Sequence, residues 1–96
     1  MSDTTSIDIR RRRALFRATH RGTKEMDWML GKYAEAYLSQ MADPKLQEFE
    51  LLLTVEDPKI HNWLLNPENC DNSRYIDIIA EIRKFHGIAE DTQNTA

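Results

Sequence analysis

The hydrophobic positions of this chain recur at steps of three and four rather than two, which gathers them on single faces of α-helices. The clearest stretch is 24–41, where Met26, Met29, Leu30, Tyr33, Ala34, Tyr37, Leu38 and Met41 make one broad apolar stripe. Glu25 and Asp27 stand in its first turn, where anions suit the helix dipole. Before it, from about Ile7 to Ala18, Arg11, Ala14, Leu15 and Ala18 share a helical face, with Ile9 and Phe16 on a neighbouring one. Gly22 follows at a natural stopping point, because glycine accepts the left-handed conformation that ends helices. Asp43-Pro44 and Asp57-Pro58 each read as a cap followed by a proline at the first helical position. The first opens a third helix burying Leu46, Phe49, Leu52 and Leu53; the second opens a short fourth helix with Ile60, Trp63 and Leu64 inward. Residues 66–72 read as a loop. Asp71 or Ser73 then caps a fifth helix carrying Tyr75, Ile78, Ile79, Ile82 and Phe85 and stopping at Gly87. The expected architecture is all-α, a compact antiparallel bundle of five helices over residues 7–87. Residues 1–6 are expected as a flexible N-terminus and 88–96 as a frayed polar tail.

Composition agrees with helices. Three glycines and three prolines are too few to punctuate a β-rich fold. With 96 residues the chain supports one domain, which buries roughly 60–65% of its unfolded surface: a thin core without a deep substrate cavity. Charge is divided unevenly. Residues 1–24 carry seven cations against Asp3 and Asp8, a balance of +5, whereas the other 72 residues carry six cations and fourteen anions, a balance of −8. The basic end therefore meets an acidic partner or folds back on the chain's own acidic surface. Cys70 is the single cysteine, which excludes an internal disulfide and fits a reducing compartment. No apolar run reaches the about 18 residues of a membrane span, and the first residues lack the apolar stretch of a secretory signal. The arginine cluster has a faint likeness to a transit peptide, opposed by Asp3, Asp8 and the immediate start of a helix. A cytoplasmic location is expected.

Candidate chemistry is sparse. His20, His61 and His86 lie on three separate segments without metal-ligand spacing. Cys70 has no orienting partner that would make it a nucleophile. Gly22, Gly31 and Gly87 form no phosphate cradle, so the chain is expected to bind no flavin, nucleotide or metal itself. Arg10, Arg11, Arg12 and Arg13 invite a nucleic-acid reading, but four consecutive helical residues point to all sides and the remaining chain is acidic. The competing reading is a solvated basic turn with the Arg11 stem against the core. Trp28 stands opposite the apolar stripe, either as an exposed contact residue beside Arg21, Lys24 and Glu25 or as a cover for the first helix or the N-terminal residues. Arg21 and Glu25 are one turn apart. They either pair with each other or face outward, Arg21 forking onto a partner's carboxylate or carbonyls and Glu25 taking a cation or amide, while Gly22 lets two backbones approach.

The arginine-rich helix Arg10-Arg11-Arg12-Arg13-Ala14-Leu15-Phe16-Arg17 leads into the corner Arg21-Gly22-Thr23-Lys24-Glu25-Met26-Asp27. The long stripe ending at Tyr37-Leu38 follows, then Leu46-Gln47-Glu48-Phe49-Glu50-Leu51-Leu52, and Asp57-Pro58 before Trp63-Leu64. In that order these features resemble the small flavinylation factors of succinate dehydrogenase, the SdhE-type assembly proteins of bacteria and their mitochondrial relatives, over roughly residues 8–87. The resemblance implies an assembly chaperone rather than an enzyme, with no cofactor of its own and monomeric when free. Its client would be the flavoprotein subunit of succinate dehydrogenase, with the related fumarate reductase subunit open as a second client. Its effect would be covalent attachment of FAD to a client histidine. The family's Arg-Gly-x-x-Glu motif falls on Arg21, Gly22 and Glu25, and the expected contact surface extends to Lys24, Asp27 and Trp28. The alternative is a small regulatory or nucleic-acid-associated helical protein acting through Arg10–Arg13.

Overall fold

The computed structural model describes the backbone of residues 2–88 and the side chains of residues 6–88. Five α-helices follow one another: α1 (Ser2–Thr19), α2 (Lys24–Tyr37), α3 (Asp43–Leu52), α4 (Asp57–Leu65) and α5 (Ser73–Phe85). Short 3-10 turns extend α2 over Leu38–Gln40 and follow α4 over Pro67–Asn69. No strand occurs among the described residues. The expected start of α1 at Ile7 is corrected to Ser2, since no glycine or proline interrupts residues 2–19. The expected tail lies, from Ala89 onward, outside the described residues.

The core is the one the periodicity marks. Met26, Met29, Leu30, Tyr33 and Ala34 of α2 meet Leu46, Phe49 and Leu52 of α3, Ile60, Trp63 and Leu64 of α4, and Tyr75, Ile78, Ile79 and Ile82 of α5. Two residues expected inside lie at its edge: Tyr37 is 45% exposed and Phe85 37%, their rings 5.7 Å apart in a T-shaped contact. Among the described side chains of α1 only Ala14 and Ala18 are fully buried, with Ile7 packed partly against the core. Leu15 and Phe16 face outward. Small residues let α1 approach α2 closely: a Cβ on Gly31 would stand 3.0 Å from Thr19 Cγ2.

Helix ends separate sequence pattern from outcome. Thr23 caps α2, its hydroxyl accepting from the Met26 N–H at 3.2 Å. Asn72, not Asp71 or Ser73, caps α5, accepting from the Arg74 N–H at 3.0 Å. Neither Asp43 nor Asp57 caps its helix; the caps are Ala42 and Glu56, without side-chain bonds. Both aspartates are turned instead toward arginines, where donor and acceptor are both charged and the guanidinium offers several N–H groups. Gly87 ends α5 as expected, in the left-handed region at φ +74. There the Gly87 N–H donates to Lys84 O at 3.0 Å and the Ile88 N–H to Arg83 O at 2.9 Å, a Schellman closure. Gly22 does not have positive φ, so its expected role as a left-handed stop is corrected: it is needed for space.

Candidate functional site: the corner between α1 and α2

Four residues, His20 to Thr23, join α1 to α2. The turn is built from three local bonds. His20 stacks on Phe16 with centroids 3.9 Å apart, and its Nδ1 lies 2.9 Å from Phe16 O. The Arg21 backbone N–H donates to the Asp27 carboxylate, which draws the start of α2 back over the turn. Thr23 closes the first turn of α2. Asp27 is therefore occupied by its own chain.

Arg21 does not face outward as the sequence reading expected. Its side chain is only 10% exposed, and its guanidinium reaches across to the junction of α3 and α4. Nε donates to Asp57 Oδ1 at 2.7 Å, Nη1 to Leu53 O at 3.0 Å and Nη2 to Val55 O at 3.1 Å; Nη2 is also 2.6 Å from Asp57 Oδ1. The other Asp57 oxygen accepts the Gly22 N–H at 2.9 Å. A Cβ at residue 22 would lie 3.3 Å from that oxygen, tighter than ordinary contact. Arginine, glycine and aspartate thus form one latch, in which the missing side chain at 22 lets the carboxylate reach the backbone. The carbonyls of Leu53 and Val55 sit in the connection between two helices, where the arginine supplies the donors they need. Arg21 and Glu25 do not pair.

The outer side of the same corner carries the rest. Lys24 and Glu25 are exposed, and Trp28 is 51% exposed, one turn further along α2. Trp28 rests against the end of α5. Its ring lies 4.4 Å from that of His86, at the end of α5, whose Nε2 is 2.8 Å from Met29 O. Glu25 meets His61 of α4, with Nε2 to Oε2 at 3.1 Å. Among the six residues singled out from sequence, Lys24, Glu25 and Trp28 form the outward surface, and Arg21, Gly22 and Asp27 form the frame that aims it. Asp57, His61 and His86 went unnoticed as site residues. One signal was present: His61 follows Asp57 by one helical turn, so whichever way Asp57 faces, His61 faces also.

The arginine run is divided. Arg10 donates to Asp43 at 2.8 Å and to Glu50 at 2.8 and 3.1 Å, and Arg11 to Met41 O at 2.8 Å. The Glu50 and then the Asp43 carboxylates hold the Arg10 proton more firmly than in free arginine. Arg12 and Arg13 stay in solvent. The basic end thus folds back on the chain's own acidic helix, one of the two outcomes its charge allowed, and no four-arginine patch is presented.

At the far end of α2 an open groove of about 670 Å³ is lined by Tyr33, Tyr37, Met41, Lys45, Glu81 and Phe85. Tyr33 donates to Glu81 at 2.8 Å, and burial first, then that carboxylate, pushes its hydroxyl well above the usual tyrosine range. Among the described residues no group of three His, Cys, Asp or Glu side chains is placed to hold a metal ion, and no helix is long and apolar enough to cross a membrane.

Residues 12–86 match the family model described as "Flavinator of succinate dehydrogenase". The FAD assembly factor SdhE of Acetobacter pasteurianus is 44% identical over 59 residues, 62% of this chain and 54% of that protein. The mitochondrial succinate dehydrogenase assembly factor 2 of Debaryomyces hansenii is 30% identical over 83 residues, 79% of this chain and 58% of its own. Its counterpart in Dictyostelium discoideum is 31% identical over 64 residues, 67% of this chain and 45% of its own. The chain thus spans about half the length of the curated relatives it matches. No solved structure matches it.

Proposed function

Because this chain belongs to the family of succinate dehydrogenase flavinators, we propose that it binds the flavoprotein subunit of that enzyme and promotes covalent attachment of FAD to a client histidine. The related subunit of fumarate reductase is a second client of the same kind. The chain works as a monomeric assembly chaperone and not as the catalyst. Covalent attachment requires the client's histidine to be aligned with the 8-methyl carbon of the flavin, and misplacement by about an ångström costs on the order of a hundredfold in rate. A rigid helical surface that binds the correctly closed client raises the rate by shifting populations toward it.

The observation that carries the reading is the division of the corner into frame and surface. Arg21, Gly22, Asp27 and Asp57 are committed to one another, which holds Lys24, Glu25 and Trp28 as a fixed outward array on the first turn of α2. A surface fixed before contact loses little side-chain freedom on docking. The corner itself is a poor seat for a flavin pyrophosphate: the Gly22 N–H and the Arg21 guanidinium, its natural donors, are already taken by Asp57. The flavin accordingly stays with the client.

The test mixes purified flavoprotein subunit, FAD and either the wild-type chain or the Glu25→Ala, Trp28→Ala double variant, and reads covalent flavin by in-gel fluorescence. We expect a loss of about tenfold or more in flavinylation rate with the melting temperature unchanged, since both side chains are exposed. Full flavinylation by the double variant removes the outward array from the mechanism.

A further inference from the structure

One contact at the corner joins two helices at their surfaces. The His61 imidazole, on α4, places Nε2 3.1 Å from Oε2 of Glu25, thirty-six residues away in the first turn of α2. The Glu25 side chain is 59% exposed and that of His61 33% exposed, so neither serves the core. An exposed glutamate at the start of a helix samples several rotamers. A bond from a ring carried on a second helix removes that freedom. The ring is itself placed by the latch: Asp57, one turn before His61, is fixed by Arg21 and by the Gly22 N–H, and this contact sets the face that α4 turns toward α2.

The chemistry of the pair points to a ligand group. With its proton on Nε2, the imidazole donates to Glu25 Oε2 and keeps Nδ1 as an acceptor. Glu25 Oε1 makes no hydrogen bond among the described residues. The exposed Glu25 carboxylate keeps Oε1 and a further lone pair of Oε2 for a partner, with the exposed ring of Trp28 one turn further along the same helix. A planar, positively charged fork of N–H donors bonds both oxygens of such a carboxylate and stacks well beside an indole: an arginine guanidinium.

We propose that His61 is a positioning residue for client recognition, holding Glu25 as an oriented acceptor for an arginine side chain of the client protein. The inference rests on the function proposed above and extends it to a residue outside the Arg-Gly-x-x-Glu corner and to the chemistry on the client's side.

The test measures affinity of the purified flavoprotein subunit for the wild-type chain and its His61→Ala, His61→Gln, Glu25→Ala and His61→Ala, Glu25→Ala variants by calorimetry. Alongside it, the tautomer of the His61 ring is read in the free chain by long-range 15N–1H NMR. His61→Ala is expected to weaken binding about tenfold. His61→Gln, whose amide nitrogen reaches the Nε2 position, recovers most of that loss. The double variant binds no more weakly than Glu25→Ala alone, and no variant changes the melting temperature. In the free wild-type chain the ring carries its proton on Nε2, and in Glu25→Ala the tautomer ratio relaxes to that of an unpartnered histidine. Wild-type affinity in His61→Ala, additive losses in the double variant, or a ring protonated on Nδ1 overturns the proposal while leaving client binding intact. A wild-type chain that does not bind the subunit, with the ring still on Nε2, overturns the proposed function and the client's arginine with it.

Discussion

Two arginines in this small bundle do the same thing in different surroundings. Arg10 and Arg21 each reach an aspartate that stands immediately before a proline, Asp43 at the start of α3 and Asp57 at the start of α4. At the first junction both groups are in contact with water: the Arg10 side chain is 30% exposed and that of Asp43 67%. At the second, Arg21 is 10% exposed and Asp57 19%, and the guanidinium also serves the carbonyls of Leu53 and Val55. Water screens and competes for the first pair but not the second. The Arg10 junction therefore fastens a basic helix loosely to an acidic one, whereas the Arg21 junction decides how the α3–α4 connection and the corner are shaped.

The strongest way to break this comparison is to delete Arg21. Arg21→Ala leaves the Asp57 carboxylate and two carbonyls without their donors, and we expect a loss of about 3 kcal/mol in unfolding free energy by urea titration. Flavinylation by that variant should fail in proportion to the unfolded fraction and recover at lower temperature, which separates a frame residue from a contact residue such as Glu25.

Tyr33, near the Arg10 end, gives an intermediate effect. Tyr33→Phe removes the bond to Glu81 and should cost about 1 kcal/mol near neutral pH. Because the folded protein holds the Tyr33 proton above the ordinary value of 10.0, the contribution is complete below that value. It is lost as pH rises from there, when the unfolded chain ionises first. Denaturation curves should thus show stability falling above about pH 10, and falling less steeply in Tyr33→Phe.

The smallest effect belongs to Arg10. Arg10→Ala should lower the melting temperature slightly at low salt and not at all at high salt, as expected of an exposed pair. A deficit that matches Arg21→Ala and persists in salt would show that exposure does not separate the two junctions.

Five helices, their order and nearly all of their buried residues were legible in the chain, because a 3.6-residue period exposes the inward face of a helix without reference to its neighbours. Tyr37 and Phe85 were misjudged for the complementary reason: periodicity names a face but not where the neighbouring helix ends. The two Asp-Pro starts were legible as helix beginnings, and their capping was misread, since a competing arginine more than thirty residues distant in sequence carries no local signature. At the corner, Lys24, Glu25 and Trp28 stand outward as the pattern of α2 implied, while Arg21 turned inward.

What the sequence settled by itself is therefore what short-range forces settle: the number and order of the helices, the apolar stripe, the Gly87 stop and the charge imbalance between the two parts of the chain. Tertiary structure alone decided which charges meet. Arg21 could have paired with Glu25 one turn away, and it lies on Asp57 because that pocket also supplies two carbonyls and excludes water. Gly22 matters for the same reason, as the place where another element's carboxylate comes within 3.3 Å of where a side chain would begin. Long-range partners are chosen by packing, which brings distant residues together only after every helix has found its place.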